Sequence, residues 1–113
     1  KKIKMDKIIV NPLSVNQCWK GRRFKTQQYE DYEQVVLLLL PRKEISNTNK
    51  LQIKIEVGFS NKNSDLDNCL KPFLDILQTK YRFNDKQIYK IEIEKKIVEK
   101  KKEYISFEIS DYK

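Results

Sequence analysis

The sequence predicts an α+β (mixed α/β) domain, a sheet with helices packed on one face, in the order β-α-β-α-β-β. Two patterns carry that prediction. Apolar and polar residues alternate strictly from Leu51 to Phe59, and Leu66, Leu70, Phe73, Leu74 and Leu77 form one apolar stripe at helical spacing. Length adds a third constraint: 113 residues can bury one modest core but not two, so residues 1–113 are expected to form a single domain.

Each element follows from local chemistry. Ile8 and Val10 lie in a short apolar segment, a strand that should end where Asn11-Pro12 punctuates the chain. The segment WKGRRFKT, Trp19 to Thr26, is basic and aromatic with Gly21 as its flexible point, and reads as a loop. Thr26 is a suitable N-cap for a helix whose stripe runs through Tyr29, Tyr32, Val35, Val36, Leu39 and Leu40 until Pro41 stops it. A polar connector leads to the alternating strand at Leu51–Phe59, and the turn-like SNKNS leads to the second helix. Pro72 removes a backbone donor early in that helix, at a cost of up to ~3 kcal/mol if interior, so a loose or kinked first turn is expected. After the loop TKYRFND, Tyr89, Ile91 and Ile93 alternate as a strand, and so do Ile105, Phe107 and Ile109 beyond a Lys-rich turn.

Composition narrows the function classes. Lys and Arg number 24 against 16 Asp and Glu, a formal net charge of +8 with a pI near 9.4, which points to a polyanionic partner such as nucleic acid. No histidine is present, which excludes any triad or general base built on imidazole. Cys18 and Cys69 are the only cysteines; with no signal peptide they read as reduced cytosolic thiols, and a Cys/His zinc site is not expected. The longest apolar run, Val35 to Leu40, is far too short to span a bilayer. The chain opens on Lys1 rather than methionine, which leaves its natural N-terminus and targeting open.

Against this basic background, NSDLDNCLKP gathers two aspartates one residue apart. Residues i and i+2 share a side only on extended chain. Asp65 and Asp67 therefore converge if SDLD is extended and the helix begins at or after Asp67. A plain N-cap would account for Asp67 but not for Asp65. Past Asp67 the polar stripe continues through Lys71, Asp75 and Gln78, which as ordinary i,i+4 pairs would contribute a few tenths of a kcal/mol each. The functional alternative is a divalent metal site: Mg²⁺ takes oxygen ligands from a few carboxylates and keeps waters for substrate phosphates. Spacing alone leaves site and cap both open.

SDLDNCLKPFLDIL followed by FNDKQI resembles the RusA family of Holliday junction resolvases, small metal-dependent endodeoxyribonucleases. Asp65, Asp67, Asn68, Lys71, Asp75 and Leu77 match the family motif D-x-D-N-x-x-K-x-x-x-D-x-L. Asp85, Gln87 and Ile88 match a later carboxylate motif, and Pro12, Ser14, Asn16 and Trp19 match the N-terminal P-x-S-x-N-x-x-W. The resemblance implies metal-binding, catalytic carboxylates at Asp65, Asp67 and Asp85, and a lysine needed for cleavage at Lys71. It implies Mg²⁺, with Mn²⁺ as a substitute, and a homodimer whose two sites cut opposed strands of four-way junction DNA symmetrically. It further implies a cytoplasmic enzyme of bacterial or phage origin, and the RusA-like fold already read from the pattern. Members often carry Asp where this chain has Asn84. Such ions supply an activated water, charge relief on the phosphate and stabilisation of the leaving oxygen, which suits a chain without histidine.

The segment around Lys20, Arg22, Arg23 and Lys25, with Trp19 and Phe24, combines phosphate-binding charge with rings able to stack on bases, so these four cations are expected to bind DNA. Trp19 itself is better read as core. Two rival functions remain. One is a non-catalytic nucleic-acid-binding module, or a degenerate relative acting as a partner protein, in which Asp67 only caps a helix. The other is a restriction-nuclease-like site built from Asp85, Glu94 and Lys96, a match that arises easily by chance in so charged a segment.

Overall fold

A four-stranded sheet of order β1-β6-β4-β5 organises the computed structural model, which describes residues 5–14, 17–20 and 24–113, with the side chains of Trp19 and Lys20 excepted. The elements are β1 (Asp6–Ile8), β2 (Trp19–Lys20), β3 (Phe24–Lys25), α1 (Gln27–Leu39), β4 (Leu51–Phe59), α2 (Leu66–Tyr81), β5 (Ile88–Ile97) and β6 (Tyr104–Asp111). Strand β6 pairs antiparallel with both β1 and β4, whereas β4 and β5 are parallel. Parallel neighbours need a crossover, and α2 is that crossover. The predicted α+β class and element order are thus the ones observed. The addition is a small β2–β3 hairpin inside the segment read as a loop, with Trp19 opposite Lys25 and Lys20 opposite Phe24.

Apolar alternation explains β4, whose Leu51, Ile53, Ile55, Val57 and Phe59 are all buried. They meet Phe73, Ile76 and Leu77 of α2 and Ile105 and Phe107 of β6 in one core, with the Phe73 and Phe107 rings edge-to-face at 5.6 Å. Gly58 has a specific reason to be glycine. A Cβ there would lie 2.3 Å from Cε1 of Tyr104, whose ring packs across β4 and whose hydroxyl donates to Glu56 at 2.6 Å.

Helix α1 starts as the sequence predicts. The Thr26 hydroxyl accepts from the Tyr29 N–H at 3.2 Å, and the helix ends just short of Pro41. The Tyr81 hydroxyl donates to the Pro41 carbonyl at 2.6 Å, tying the end of α1 to the end of α2. The α1 stripe is wider than the face it buries. Tyr29, Tyr32, Val36 and Leu40 are buried, but Val35 and Leu39 remain 45% and 44% exposed.

Two expectations about α2 are corrected. The helix begins at Leu66 rather than at or after Asp67, so Asp65 is the N-cap residue, with extended backbone (φ −86°, ψ 126°), and Asp67 lies in the first turn. Of the loose or kinked first turn expected from Pro72, the looseness is absent: residues 66–81 are helical throughout, with Pro72 buried inside the helix. Burial of the ring against the core offsets part of the lost hydrogen bond. The carbonyl that Pro72 would have bonded, that of Asn68, is left without its helical donor.

Candidate active site at the start of α2

The acidic motif sits where β4 hands the chain to α2. Asp65 and Asp67 are both exposed, at the end of the helix where backbone N–H groups concentrate positive potential. Asp65 occupies the N-cap position, yet its side chain makes no cap hydrogen bond. Its Oδ2 instead accepts from Nδ2 of Asn68 at 3.3 Å. Asp65 and Asn68 line a cavity of about 410 Å³ together with Asn11, Pro12, Ser14 and Asn61. The cavity therefore joins the N-terminal P-x-S segment to the D-x-D-N segment, two motifs more than fifty residues apart in the chain.

Lys71 stands one turn further along α2, its ammonium 3.0 Å from Asp75 Oδ1. With the two side chains 62% and 35% exposed, this i,i+4 pair adds only a few tenths of a kcal/mol. The charge of Asp75 also acts on Cys18 and on Tyr29 of α1. Burial pushes the Cys18 thiol up to about 11, and the charges of Asp75 and Glu33 add to the rise. Burial likewise lifts Cys69 to about 11; a backbone hydrogen bond lowers it somewhat and the nearby charge of Asp67 raises it. Both cysteines are free and buried, so near neutral pH they remain thiols and offer no thiolate to a substrate or an ion.

Asp85 lies at the other end of α2. It opens a short 3₁₀ turn, Asp85–Gln87, and its N–H donates to Gln78 Oε1 at 3.1 Å. The rise from Asp67 to Gln78 is about 16 Å of helix. Within one chain, Asp85 is therefore not brought to Asp65 and Asp67, and among the described residues no three His, Cys, Asp or Glu side chains come together as a metal-binding group. The turn is built firmly. Asn84 Oδ1 accepts from the Lys86 N–H at 2.9 Å, and Gln87 Oε1 accepts from the Asn84 N–H at 2.8 Å. Gln87 Nε2 then donates to the carbonyls of Ser46 and Asn49, both at 2.9 Å. Asn84 thus serves as an N-cap, a role Asp and Asn fill about equally.

Of the expected DNA-binding cations, Arg22 and Arg23 lie outside the described residues, as does the side chain of Lys20. Asn16 of the N-terminal motif lies outside them too. Lys25 is exposed and holds both carboxylate oxygens of Glu33, at 2.9 and 3.0 Å. Phe24, next to Lys25 in the chain, is 72% exposed. Glu94 and Lys96 pair with each other at 3.1 Å on the opposite face of β5 from α2. Ile88 to Glu94 spans about 20 Å of strand, so these two are not brought to Asp85. Sequence reasoning passed over Asn61, which lines the cavity, and Lys95, whose signal was a lysine standing in an apolar row.

Two helices and a four-stranded mixed sheet make this a small α+β domain, and one cavity of it joins two motifs distant in the chain. The RusA endodeoxyribonuclease model matches residues 11–108, nearly the whole chain, and this protein belongs to that family. Membership implies endodeoxyribonuclease activity of the Holliday junction resolvase kind. No curated protein matches the chain. No helix among the described residues is long and apolar enough to cross a membrane.

Proposed function

We propose that the protein is a Mg²⁺-dependent endodeoxyribonuclease, with Mn²⁺ as substitute, that resolves four-way DNA junctions by paired symmetric cleavage as a cytoplasmic homodimer. The observation that carries this reading is Asp65. A carboxylate in the N-cap position that makes no cap bond, and instead borders a cavity with Asn68, has the placement of a ligand-binding residue rather than of a helix cap. Asp67 in the first turn adds a second hard oxygen donor nearby. One or two carboxylates completed by water and substrate phosphate are a sufficient donor set for Mg²⁺, so the residues present fit the ion.

The bound ion would relieve phosphate charge and acidify a water. Asp65, which lines the cavity, would hold it, with Asp67 of the first helical turn as the second carboxylate. Lys71, mostly exposed and bound only to Asp75 among the contacts seen, exchanges that partner for a phosphate oxygen and adds positive charge where the transition state gathers negative charge. Lys20, Arg22, Arg23 and Lys25 hold the flanking backbone, and Phe24 offers a stacking surface to a base splayed at the junction. Asp85 joins the centre from the second copy of the dimer, because about 16 Å of α2 separates it from Asp67 in its own chain.

A mixing experiment tests this arrangement on junction DNA. Asp65→Asn and Asp85→Asn homodimers should both be inactive. Co-expressed, they form heterodimers in which one of the two composite sites is intact, so nicking of one strand should return. No recovered nicking from verified heterodimers would show that each site is built within one chain. Wild-type protein that leaves junctions of varied core sequence uncut in either metal would refute the resolvase reading itself.

A further inference from the structure

Strand β5 carries a lysine where its pattern calls for an apolar residue. Alternation places Tyr89, Ile91, Ile93, Lys95 and Ile97 on one face, and Ile93 of that face packs against the core beneath α2. Lys95 is half-buried in this row. An ammonium taken part of the way out of water is costly unless it finds partners. Lys95 finds two: Nζ donates to the carbonyl of Lys62 at 2.7 Å and to that of Ser64 at 2.6 Å. It also lies 5.7 Å from the centre of the Phe59 ring, within cation–π range.

These contacts span the segment that matters. In the parallel ladder Lys95 stands opposite Val57, two residues before β4 ends at Phe59. Residues 60–64 then turn the chain into α2, and Ser64 immediately precedes Asp65. The turn has bonds of its own: the Asn63 N–H donates to Asn61 Oδ1 at 2.8 Å, and the Ser64 N–H donates to the Asn61 carbonyl at 3.2 Å. Those fix its local shape. Ser60, at the start of the turn, also meets the Glu103 side chain just before β6; Lys95 ties the later part of the turn, residues 62 and 64, to β5 through charge-assisted bonds that are short and stronger than neutral ones. A compact ammonium reaches two carbonyls at once, which a planar guanidinium fork, shaped for carboxylates and phosphates, does less well.

We propose that Lys95 is a positioning residue. Its ammonium pins the 60–64 turn to β5 and thereby sets where the Asp65 carboxylate stands at the cavity mouth. The proposal deepens the metal-site reading of Asp65 given above and rests on it. Asp65 is then held from two sides, by Asn68 on its own helix and by the pinned carbonyl of the residue before it.

The test compares wild type, Lys95→Met, which keeps the stem and loses the ammonium, and Lys95→Arg. Amide hydrogen exchange is followed without metal, and Mn²⁺ binding by calorimetry. In Lys95→Met the amides of residues 61–66 should exchange about tenfold faster while those of β4 and β6 keep their protection. Mn²⁺ affinity should fall about tenfold, and the Mg²⁺ needed for half-maximal cleavage should rise with the rate at saturating metal largely retained. Lys95→Arg should recover part of both effects. Unchanged exchange at 61–66, or faster exchange spread equally over β4 and β6, would overturn the proposal. Mn²⁺ binding that is indifferent to Asp65→Asn would sink the metal-site reading instead, and the exchange data would still decide whether Lys95 pins the turn.

Discussion

Gln87 is a buried polar residue whose worth can be worked out bond by bond. It is 9% exposed and makes three hydrogen bonds, accepting from the Asn84 N–H at 2.8 Å and donating to the carbonyls of Ser46 and Asn49, each at 2.9 Å. Each such bond contributes about 1 kcal/mol net, so three set an upper figure of about 3 kcal/mol. Asn49 is exposed and Ser46 partly so, hence water can replace some of what is lost in Gln87→Ala; about 2 kcal/mol remains. For a chain of this size that corresponds to a fall in Tm of roughly 8–10 °C. Gln87→Glu keeps the acceptor but turns the two donor contacts into oxygen facing oxygen, so it should cost at least as much. Thermal and urea denaturation followed by circular dichroism would measure both. Tm values within about 2 °C of wild type for both variants would show that the Asn84–Gln87 turn does not anchor the 46–49 connector.

Two further outcomes follow from the fold and from the basic hairpin. Gly58→Ala should destabilise by about 1–3 kcal/mol, because the new Cβ displaces the Tyr104 ring, and Tyr104→Ala in the same chain should remove most of that penalty; simple additivity of the two changes in urea titrations would contradict the clash. Arg22→Ala and Arg23→Ala should weaken junction binding with little dependence on sequence, each lowering the log K against log salt slope by about 0.9, whereas an unchanged slope for both would remove that segment from the interface.

Elements governed by their own residues were legible in the sequence. Thr26 and Pro41 bracket α1 because capping and the proline stop act within a turn, and β4 was readable because one face of it is buried along its whole length. The β2–β3 hairpin was not, since strands of two residues are too short to show a period. The start of α2 was misplaced by a local ambiguity: Ser64, Asp65 and Asp67 are all good cap residues, so packing of Leu66 rather than capping chemistry chooses the first helical position. Pro72 was misjudged because its penalty was weighed without the core that buries it. The separation of Asp85 from Asp65 was implicit all along, since two motifs flanking a helix of 16 residues stand at its opposite ends.

Cleavage and binding by Asp65→Asn, measured side by side, test the central claim most directly. Asn caps helices about as well as Asp, and the substituted side-chain amide would still offer an oxygen to Asn68, so the fold should hold. Removing one negative charge near the phosphates should leave junction binding unchanged or tighter. Loss of Mg²⁺-dependent cutting, with junction binding and Tm retained, is the result this account predicts. Full cutting by Asp65→Asn at ordinary Mg²⁺ would contradict it.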